Sequence, residues 1–494
     1  MSKRPPHKKS QRRKPHTRTV HEMDPRNVAY QSLRRMKPGD MVEPTVLKTL
    51  RYLGYNESNS RRVIPMVEDA SRFSLMFDYL ISHVASRKPS ELDDDVRAAL
   101  HLFLAWYLLG DPGSPYAHGN AAVNLLSATH KGRGFTNAIV RRLGEMFSVE
   151  KAEPEDFRGM AERTEAPPLF RNKARISASA WVVAKRDVFP HPEADLAGHL
   201  AVTCGMPKDF VTTMLEQHGP QAATHVAVAS VYKPPVWVRP NALLEDNDLA
   251  NWWKQKGVEF ETVAVEGSVD ALVLPVGTKG IIDHPAFKKG GFYIQDYSAQ
   301  RVAPTLQAKA GQKLLDLCSA PGGKAAHLCE LTGDKAAILA CDLTDPKMEK
   351  IQENIVRMGY KSIATVQADA TEVKFPEPFD GIIIDAPCTN SGVLARRVEA
   401  RHRITETNLK SLIKTQTAIL ENAARNLKAG GSIVYSVCSL LMEEGVDVVY
   451  KFLRGLDDNV RREDAGWKVT HEHHILPVPG WHDGGYAARI TKPI

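Results

Sequence analysis

The chain has 494 residues, too many for a single hydrophobic core, so we expect several domains. Its hydrophobic content of 43% and charged content of 25% are ordinary, and no apolar run is long enough to cross a bilayer. The first twenty residues are basic with no apolar segment behind them, which excludes a secretory signal, so we expect a cytoplasmic protein without membrane contact.

The net charge of +7 is concentrated in residues 1–20, which hold eight Lys or Arg and no acid. The other 474 residues carry 57 basic and 58 acidic side chains. Segment 1–20 is also rich in proline and has almost nothing apolar to bury, so it predicts a disordered basic tail. Two roles stay open for this tail: nonspecific contact with phosphates, or solubility alone.

Three segments follow in chain order. Residues 21–147 repeat apolar side chains at spacings of three and four, with Gly and Pro between the repeats, which predicts an all-helical domain. Residues 148–231 still look helical, with proline breaks, and we interpret them as a helical connecting region. Residues 232–297 contain the runs "VWVRP", "FETVAV" and "ALVLP" around one helix pattern, which predicts a small α+β unit.

Residues 298–494 change to an alternation of strands and helices. The apolar runs are "KLLDLC", "AAILACDL", "SIATVQAD", "GIIIDA" and "SIVYSVC". They predict a doubly wound α/β domain with a largely parallel sheet, whose ligands bind at the carboxyl ends of the strands. A long helix is predicted over "TETNLKSLIKTQTAILENAARNLKAGG", ended by Gly430 and Gly431.

The turn "LLDLCSAPGGK" follows the first of these strands. Gly322 and Gly323 let the backbone approach a ligand closely, but the spacing matches neither phosphate-binding glycine motif. Asp342 ends the second strand, where an acid accepts the hydroxyls of a ribose, and Asp369 ends the third, within reach of an adenine amine. A nucleoside with a positive sulfonium and no phosphate suits this acidic pocket, so the sequence predicts S-adenosylmethionine.

Six cysteines are present without a C-x-x-C pair, which favours free thiols over a disulfide framework or a zinc site. Asp385 and Cys388 end the fourth strand, and Cys438 ends the next. Methylation of a pyrimidine at carbon 5 needs a thiolate that adds to carbon 6 and an acid beside nitrogen 3, a role for Asp385. A second thiol could assist product release, and these patterns leave open which cysteine adds.

The motifs "DLCSAPGGK", "DAPCTNSG" and "YSVCS", in this order, resemble those of the RsmB/Sun family of RNA cytosine-5 methyltransferases. "VRPN", "GFYIQDYSAQ" and "PGWHDGGYAARI" are also similar, and "GFTNAIVRRL" resembles the NusB-like domain of the bacterial ribosomal RNA branch. The resemblance implies transfer of a methyl group from S-adenosylmethionine to a cytosine of 16S ribosomal RNA through a covalent cysteine adduct. It also implies a Rossmann-like catalytic domain, a NusB-like RNA-binding domain at 21–147 and an RRM-like unit at 232–297. A transfer RNA substrate, or an RNA-binding protein with a vestigial fold, are the alternatives.

By position, the resemblance implies that Cys438 is the nucleophile and that Cys388 helps to release the product. DNA cytosine methyltransferases use the thiol of the Pro-Cys motif instead, so Cys388 as nucleophile is the rival assignment. Val437 departs from the family, which usually has Thr there. The cofactor contacts implied are Cys318, Ser319, Ala320, Pro321, Gly322, Gly323 and Lys324, completed by Asp342, Asp369 and Asp385.

The run "ARRVEARHR" beside Cys388 predicts phosphate contacts from Arg396, Arg397, Arg401 and Arg403. The target base must leave its stack to react, so we expect single-stranded or loop RNA as the partner and a monomeric enzyme. "HEHH" at 471–474 has no acid or cysteine at ligand spacing, so we expect a solvated loop there and no metal.

Overall fold

The computed structural model describes residues 23–110, 113–153, 155–244, 249–457, 460–461 and 465–494. The predicted basic tail, 1–20, lies outside the described residues. Within the described ranges, none of the helices combines the length and the apolar character that a membrane span requires.

The N-terminal part is helical, as its periodicity predicts. Its helices are α1 (Pro25–Leu33), α2 (Val42–Leu53), α3 (Ser60–Arg72), α4 (Ser74–Ala85), α5 (Asp94–Leu109), α6 (Pro115–Val123) and α7 (Arg133–Met146). Helix α5 is buried on nearly every side because its apolar run occupies almost the whole helix. Local signals fix the helix ends: Ser114 caps α6 by accepting the Ala117 N–H, and Gly54 closes α2 with a φ of 77°.

Residues 148–231, predicted as a helical connecting region, are only partly helical. They contain β1 (Phe147–Lys151), α8 (Phe157–Glu162), β2 (Lys173–Ser177), β3 (Ala180–Ala184), α9 (Leu196–Thr203) and α10 (Lys208–Ala229). Strand β3 pairs antiparallel with both β1 and β2. The prediction is wrong for the three strands, because strands of five residues are too short to show a clear alternation. Their apolar side chains join the core of the N-terminal helices.

A small α+β unit comes next. It consists of β4 (Val236–Pro240), α11 (Leu249–Gln255), β5 (Glu261–Val263), β6 (Ala271–Leu274), α12 (Pro285–Lys288) and β7 (Phe292–Ile294). The strands pair antiparallel in the order β5-β6-β4-β7. The fully buried Arg239 of β4 forms an ion pair with Glu330, 2.9 Å away in the following domain, and so fixes this unit against it.

A mixed sheet with helices organises the C-terminal part. Its strands are β8 (Lys313–Leu317), β9 (Ala337–Asp342), β10 (Ile363–Gln367), β11 (Phe379–Asp385), β12 (Leu427–Val437), β15 (Lys468–Ile475) and β16 (Gly485–Thr491); β13 (Leu456–Asp457) and β14 (Val460–Arg461) form a separate hairpin. Its helices are α13 (Tyr297–Gln300), α14 (Val302–Thr305), α15 (Gly323–Leu331), α16 (Asp345–Met358), α17 (Glu406–Arg425) and α18 (Val446–Arg454). The strand order is β10-β9-β8-β11-β12-β16-β15.

The strands from β10 to β12 in this order are parallel, whereas β16 and β15 are antiparallel to their neighbours. The Rossmann-like arrangement is therefore confirmed, with an antiparallel edge that the sequence analysis did not predict. The predicted helix end is wrong, because α17 ends at Arg425 and both Gly430 and Gly431 lie inside β12. A Cβ on Gly431 would stand 2.9 Å from the Asp380 carbonyl, so close pairing of the strands accounts for this glycine.

Two loops leave the carboxyl end of this sheet: residues 386–405 after β11, the Cys388 loop, and residues 438–445 after β12, the Cys438 loop. Leu394 and Ala400 of the first and Leu440 of the second pack into the same apolar cluster as the N-terminal helices. The N-terminal part therefore supports both loops through apolar packing.

Candidate active site

The turn from Cys318 to Lys324 joins β8 to α15. Gly322 begins the helix with a φ of 97°, a backbone conformation that side chains with a Cβ rarely adopt, and its N–H donates to the Ser319 carbonyl at 2.7 Å. A Cβ on Gly323 would stand only 3.1 Å from the Tyr293 ring. The turn is thus a tight and closely packed wall.

A cavity of about 430 Å³ lies beside this turn, at the carboxyl ends of β8, β9, β11 and β12. The predicted site residues that line it are Cys318, Ala320, Asp342, Asp369, Asp385, Cys388, Arg397 and Cys438. The lining also includes Leu343, Lys347 and Pro387. Ser319, Pro321, Gly322, Gly323 and Lys324 shape the turn without lining this cavity. A volume of this size suits a nucleoside-sized ligand.

Asp342 ties the cavity to the turn. One carboxylate oxygen accepts the Ala320 N–H at 2.9 Å, and the other accepts the Leu343 N–H at 2.7 Å and the Lys347 ammonium at 2.8 Å. Asp369 stands two residues past β10, where it accepts the hydroxyl and the N–H of Thr371 at 2.6 and 2.8 Å. These hydrogen bonds from Thr371 lower the pKa of Asp369, so it stays an anion that can accept further donors.

Lys324 and Asp385 form an ion pair of 2.6 Å. Burial alone would lower the pKa of Lys324, but opposing interactions, led by the charge of Asp385, outweigh burial, so this pKa is raised. A second, smaller cavity places the pair beside Cys438. The site therefore contains a buried lysinium, a carboxylate and a thiol within one group.

Both cysteines are thiols near neutral pH. Burial, reinforced by the charge of Asp385 and opposed by that of Lys324, raises the pKa of Cys438 to about 12. Burial also raises the pKa of Cys388 well above its ordinary value. Because only a thiolate is a good nucleophile, the reacting cysteine needs a base beside it, and Asp385 is the carboxylate in that position.

The loops that carry the two cysteines are bonded to each other. Cys438 directly follows β12, and Cys388 lies three residues past β11, which is the neighbouring parallel strand. The Gly392 N–H donates to the Cys438 carbonyl at 3.0 Å. A Cβ on Gly392 would stand 2.5 Å from the Gly484 carbonyl, so the packing here leaves no space for a side chain. These contacts place both cysteines along the same cavity.

Residues 303–491 match the family described as 16S rRNA methyltransferase RsmB/F. Ribosomal RNA small subunit methyltransferase B of Shewanella oneidensis is 33% identical over 273 residues, which are 53% of this chain and 61% of that protein. The protein of the same name from Pseudomonas syringae pv. tomato is 31% identical over 287 residues, covering 55% of this chain and 63% of its own. Both matches span less than two thirds of the relative's length. Residues 303–491 are therefore similar to the RsmB/F family.

Two solved structures extend the likeness. PH0851 aligns over 96% of this chain and 100% of its own with a TM-score of 0.67, and at 20% identity this shows a shared fold. A Methyltransferase Homolog Protein from Pyrococcus horikoshii aligns over 59% of this chain and 97% of its own, with a TM-score of 0.50 and 25% identity. The matched region includes the sheet that carries the cavity.

The four predicted arginines separate into different environments. Arg397 is exposed and lines the cavity. Arg396 is bound by Asp483 at 2.6 Å and Asp296 at 3.1 Å, so its charge is already paired. Arg403 lies 3.6 Å from Glu399.

Arg401 contradicts the prediction that it contacts RNA. Its side chain is fully buried and donates to main-chain carbonyls, among them Gly205 at 2.8 Å and Arg72. Burial, aided by repulsion from Arg72, lowers the pKa of Arg401 to about 9. A charged run in a sequence does not reveal which of its members turns inward, and here the C-terminal ends of α3 and α9 supply the carbonyls.

Sequence reasoning missed two buried acids of the site. Asp316 of β8 is fully buried, accepts the Ser319 hydroxyl at 2.7 Å, and has its pKa raised to about 7 by burial. Its position inside the apolar run "LLDLC" could have indicated that Asp316 is a buried acid. Glu444, in "LLMEEG", is also fully buried, and nothing in its sequence neighbourhood distinguishes it from the exposed acids of the chain.

The "HEHH" segment is not the solvated loop that we predict, because residues 471–474 belong to β15. His473 and His474 are partly buried, and burial lowers the pKa of each to about 4. In the described ranges, the acids and histidines grouped closely enough to share a cation are Asp93, Asp95 and His130, which are remote from this strand in the sequence.

Proposed function

We propose that this protein transfers a methyl group from S-adenosylmethionine to carbon 5 of a cytosine in 16S ribosomal RNA. The observation that carries the proposal is one cavity lined by Cys388, Cys438, Asp385 and the turn after β8. The names of the relatives, ribosomal RNA small subunit methyltransferase B, support the choice of substrate.

The residues around the cavity fit S-adenosylmethionine. The Asp342 carboxylate would hold the ribose hydroxyls in place of the Lys347 ammonium, whose side chain is 54% exposed. Leu343, which is 55% exposed at the rim, would offer apolar surface to an adenine, and Asp369 would accept from its amine. The carboxylates also suit a positive sulfonium. When bound, the cofactor supplies an electrophilic methyl group.

Cys438 begins the reaction by giving its proton to Asp385. The Cys438 Sγ then bonds to carbon 6, and the displaced electron pair moves through the ring to nitrogen 3, where Asp385 delivers its proton. Carbon 5 becomes nucleophilic and accepts the methyl group. Lys324, paired with Asp385 at 2.6 Å, holds the Asp385 carboxylate in place beside Cys438.

Cys388 serves the release step as a thiol. The carbon 5 proton passes to the Cys388 Sγ while the proton of that thiol passes to the Cys438 Sγ, and the Sγ–carbon 6 bond breaks. The nitrogen 3 proton returns to Asp385 and leaves to solvent. Both cysteines end as thiols, which matches the raised pKa of each.

We infer that the chain divides into four units, at residues 21–147, 148–231, 232–297 and 298–494. The unit at 21–147 is NusB-like and docks RNA, and the unit at 232–297 is RRM-like. The antiparallel sheet of β4 to β7 supports the second of these likenesses. A ribosomal RNA substrate implies that the protein works in the cytoplasm, and we infer that it acts as a monomer without a metal.

The test uses the purified full chain with labelled S-adenosylmethionine and, separately, 16S ribosomal RNA and transfer RNA, followed by bisulfite sequencing. We expect one cytosine of 16S ribosomal RNA to be modified, and a Cys438→Ala variant to bind the cofactor in calorimetry without transferring its methyl group. Transfer to transfer RNA alone would replace the proposed substrate. A wild-type protein that does not bind the cofactor would identify a vestigial fold.

A further inference from the structure

Glu444 lies at the centre of a buried hydrogen-bond network between the Cys388 loop and the Cys438 loop. Its side chain is fully buried. Oε1 accepts the Thr389 N–H at 2.9 Å and the Gln416 amide at 3.0 Å. Oε2 accepts the hydroxyls of Thr389 and Ser439, each at 2.5 Å. Each oxygen thus uses both of its lone pairs on donors.

Two of these donors are direct neighbours of the cysteines. Thr389 follows Cys388 in the chain, and Ser439 follows Cys438. Gln416 strengthens the link, because its amide also donates to the Pro387 carbonyl at 2.9 Å, one residue before Cys388. One carboxylate therefore holds Thr389 and Ser439, the residues that follow the two cysteines, and Gln416 links it to the Pro387 carbonyl.

The choice of an acid here needs an explanation. In the part of the chain that the structure describes, no Lys, Arg or His forms an ion pair with Glu444, and burial of a carboxylate without a cation is costly. A neutral side chain would avoid this cost. Only a carboxylate, which accepts without donating, satisfies four donors at one point.

We propose that Glu444 is a positioning residue that sets the separation and orientation of the Cys388 and Cys438 thiols. This inference rests on the proposed function, since it concerns the two steps in which the thiols act together. Proton transfer between them requires a fixed short path, and a shared anchor provides one.

The charge of Glu444 also affects the protonation of Cys388. After burial and the neighbouring Cys438, it is the next cause that raises the pKa of Cys388. It therefore helps to keep Cys388 in the thiol form that the release step uses.

The test compares Glu444→Gln with the wild type on 16S ribosomal RNA. The amide nitrogen of Gln would face two donors, whichever way it turns, so the two loops must separate. We expect kcat to fall by about tenfold or more while the Kd for S-adenosylmethionine stays within about twofold. We also expect a covalent protein–RNA adduct to accumulate on unmodified RNA in denaturing gels, because release is slowed more than addition.

Glu443→Gln is the matched control. Glu443 makes the same kind of contact one residue away, accepting the Gln217 amide at 2.8 Å, and this contact does not involve Thr389 or Ser439. It should keep the wild-type kcat and show no adduct. Normal kcat and no adduct in Glu444→Gln would overturn the proposal.

Ser439→Ala and Thr389→Val serve if Glu444→Gln does not fold, because each removes a single hydroxyl donor. We expect a smaller fall in kcat, about threefold, with the same adduct. Wild-type behaviour of both variants would also overturn the proposal. RNA containing 5-fluorocytosine, which traps the adduct, separates the two ideas: a wild-type protein that forms none refutes the proposed function itself.

Discussion

The Cys388 loop and the Cys438 loop bury their thiols to a similar depth but surround them with different charges. Cys438 stands near the Lys324 ammonium, which opposes the rise of its pKa. Cys388 has the anion Glu444 near it, which adds to the rise. The difference teaches that charge, and not burial, distinguishes the surroundings of the two thiols. Because a thiolate forms more easily beside a cation, the comparison favours Cys438 as the nucleophile over the rival assignment.

The largest test of this comparison replaces each cysteine with Ala. We expect Cys438→Ala to lose methyl transfer by at least about 10³-fold and to form no adduct, because the bond to carbon 6 cannot form. Cys388→Ala should instead form the adduct and fail to release it. Denaturing gels of protein with labelled RNA measure both. An adduct in Cys438→Ala together with none in Cys388→Ala would exchange the assignments.

A second test removes the carboxylate that raises the pKa of Cys438. In Asp385→Asn, Lys324 no longer has this anion beside it, so the pKa of Cys438 should fall. At a fixed pH below the pKa, the thiolate fraction increases as the pKa falls. Alkylation of Cys438 by iodoacetamide at pH 8 should therefore be about tenfold faster in the variant than in the wild type. Methyl transfer should nevertheless fall by about 10²-fold, because the proton for nitrogen 3 is lost.

Mass spectrometry of the alkylated peptides measures the extent of alkylation at Cys438 and at Cys388 separately. Cys388 serves as the internal control, since Asp385 contributes less to its raised pKa than burial, Cys438 and Glu444 do. Slower alkylation of Cys438 in Asp385→Asn would contradict the charge argument.

The smallest expected effect concerns the outer side of the Cys388 loop. Arg397→Gln should raise the KM for RNA several-fold and reduce the slope of log KM against log salt by about 1, because one phosphate contact is lost. Arg401→Gln should leave the slope unchanged and lower the melting temperature, since buried carbonyls lose their donor. Equal slopes for Arg397→Gln and the wild type would exclude Arg397 from the RNA surface.

Much of the site was predictable because its residues follow from strand ends. Asp342 and Asp385 each terminate an apolar run, and Cys438 follows another, so the parallel sheet alone brings them to one edge. Asp369 falls beside the same cavity although its strand ends two residues earlier.

What could not be predicted depends on contacts between distant segments. Arg401 and Arg397 look alike in the sequence, and only the carbonyls of α3 and α9 decide which is buried. Glu444 gains its role from Thr389, which is 55 residues away in the chain. Strand β15 was not predicted because its histidine-rich run gives no strand signal.

The inward turn of Arg401 has a consequence for anyone who would use the C-terminal part alone. A fragment beginning at residue 298 would keep the sheet and both thiols, yet the guanidinium would face water where Gly205 and Arg72 now receive it. The loop around it would also lose its apolar support. The N-terminal part of the chain therefore supports the loop that carries Cys388, and the two parts should be expressed together.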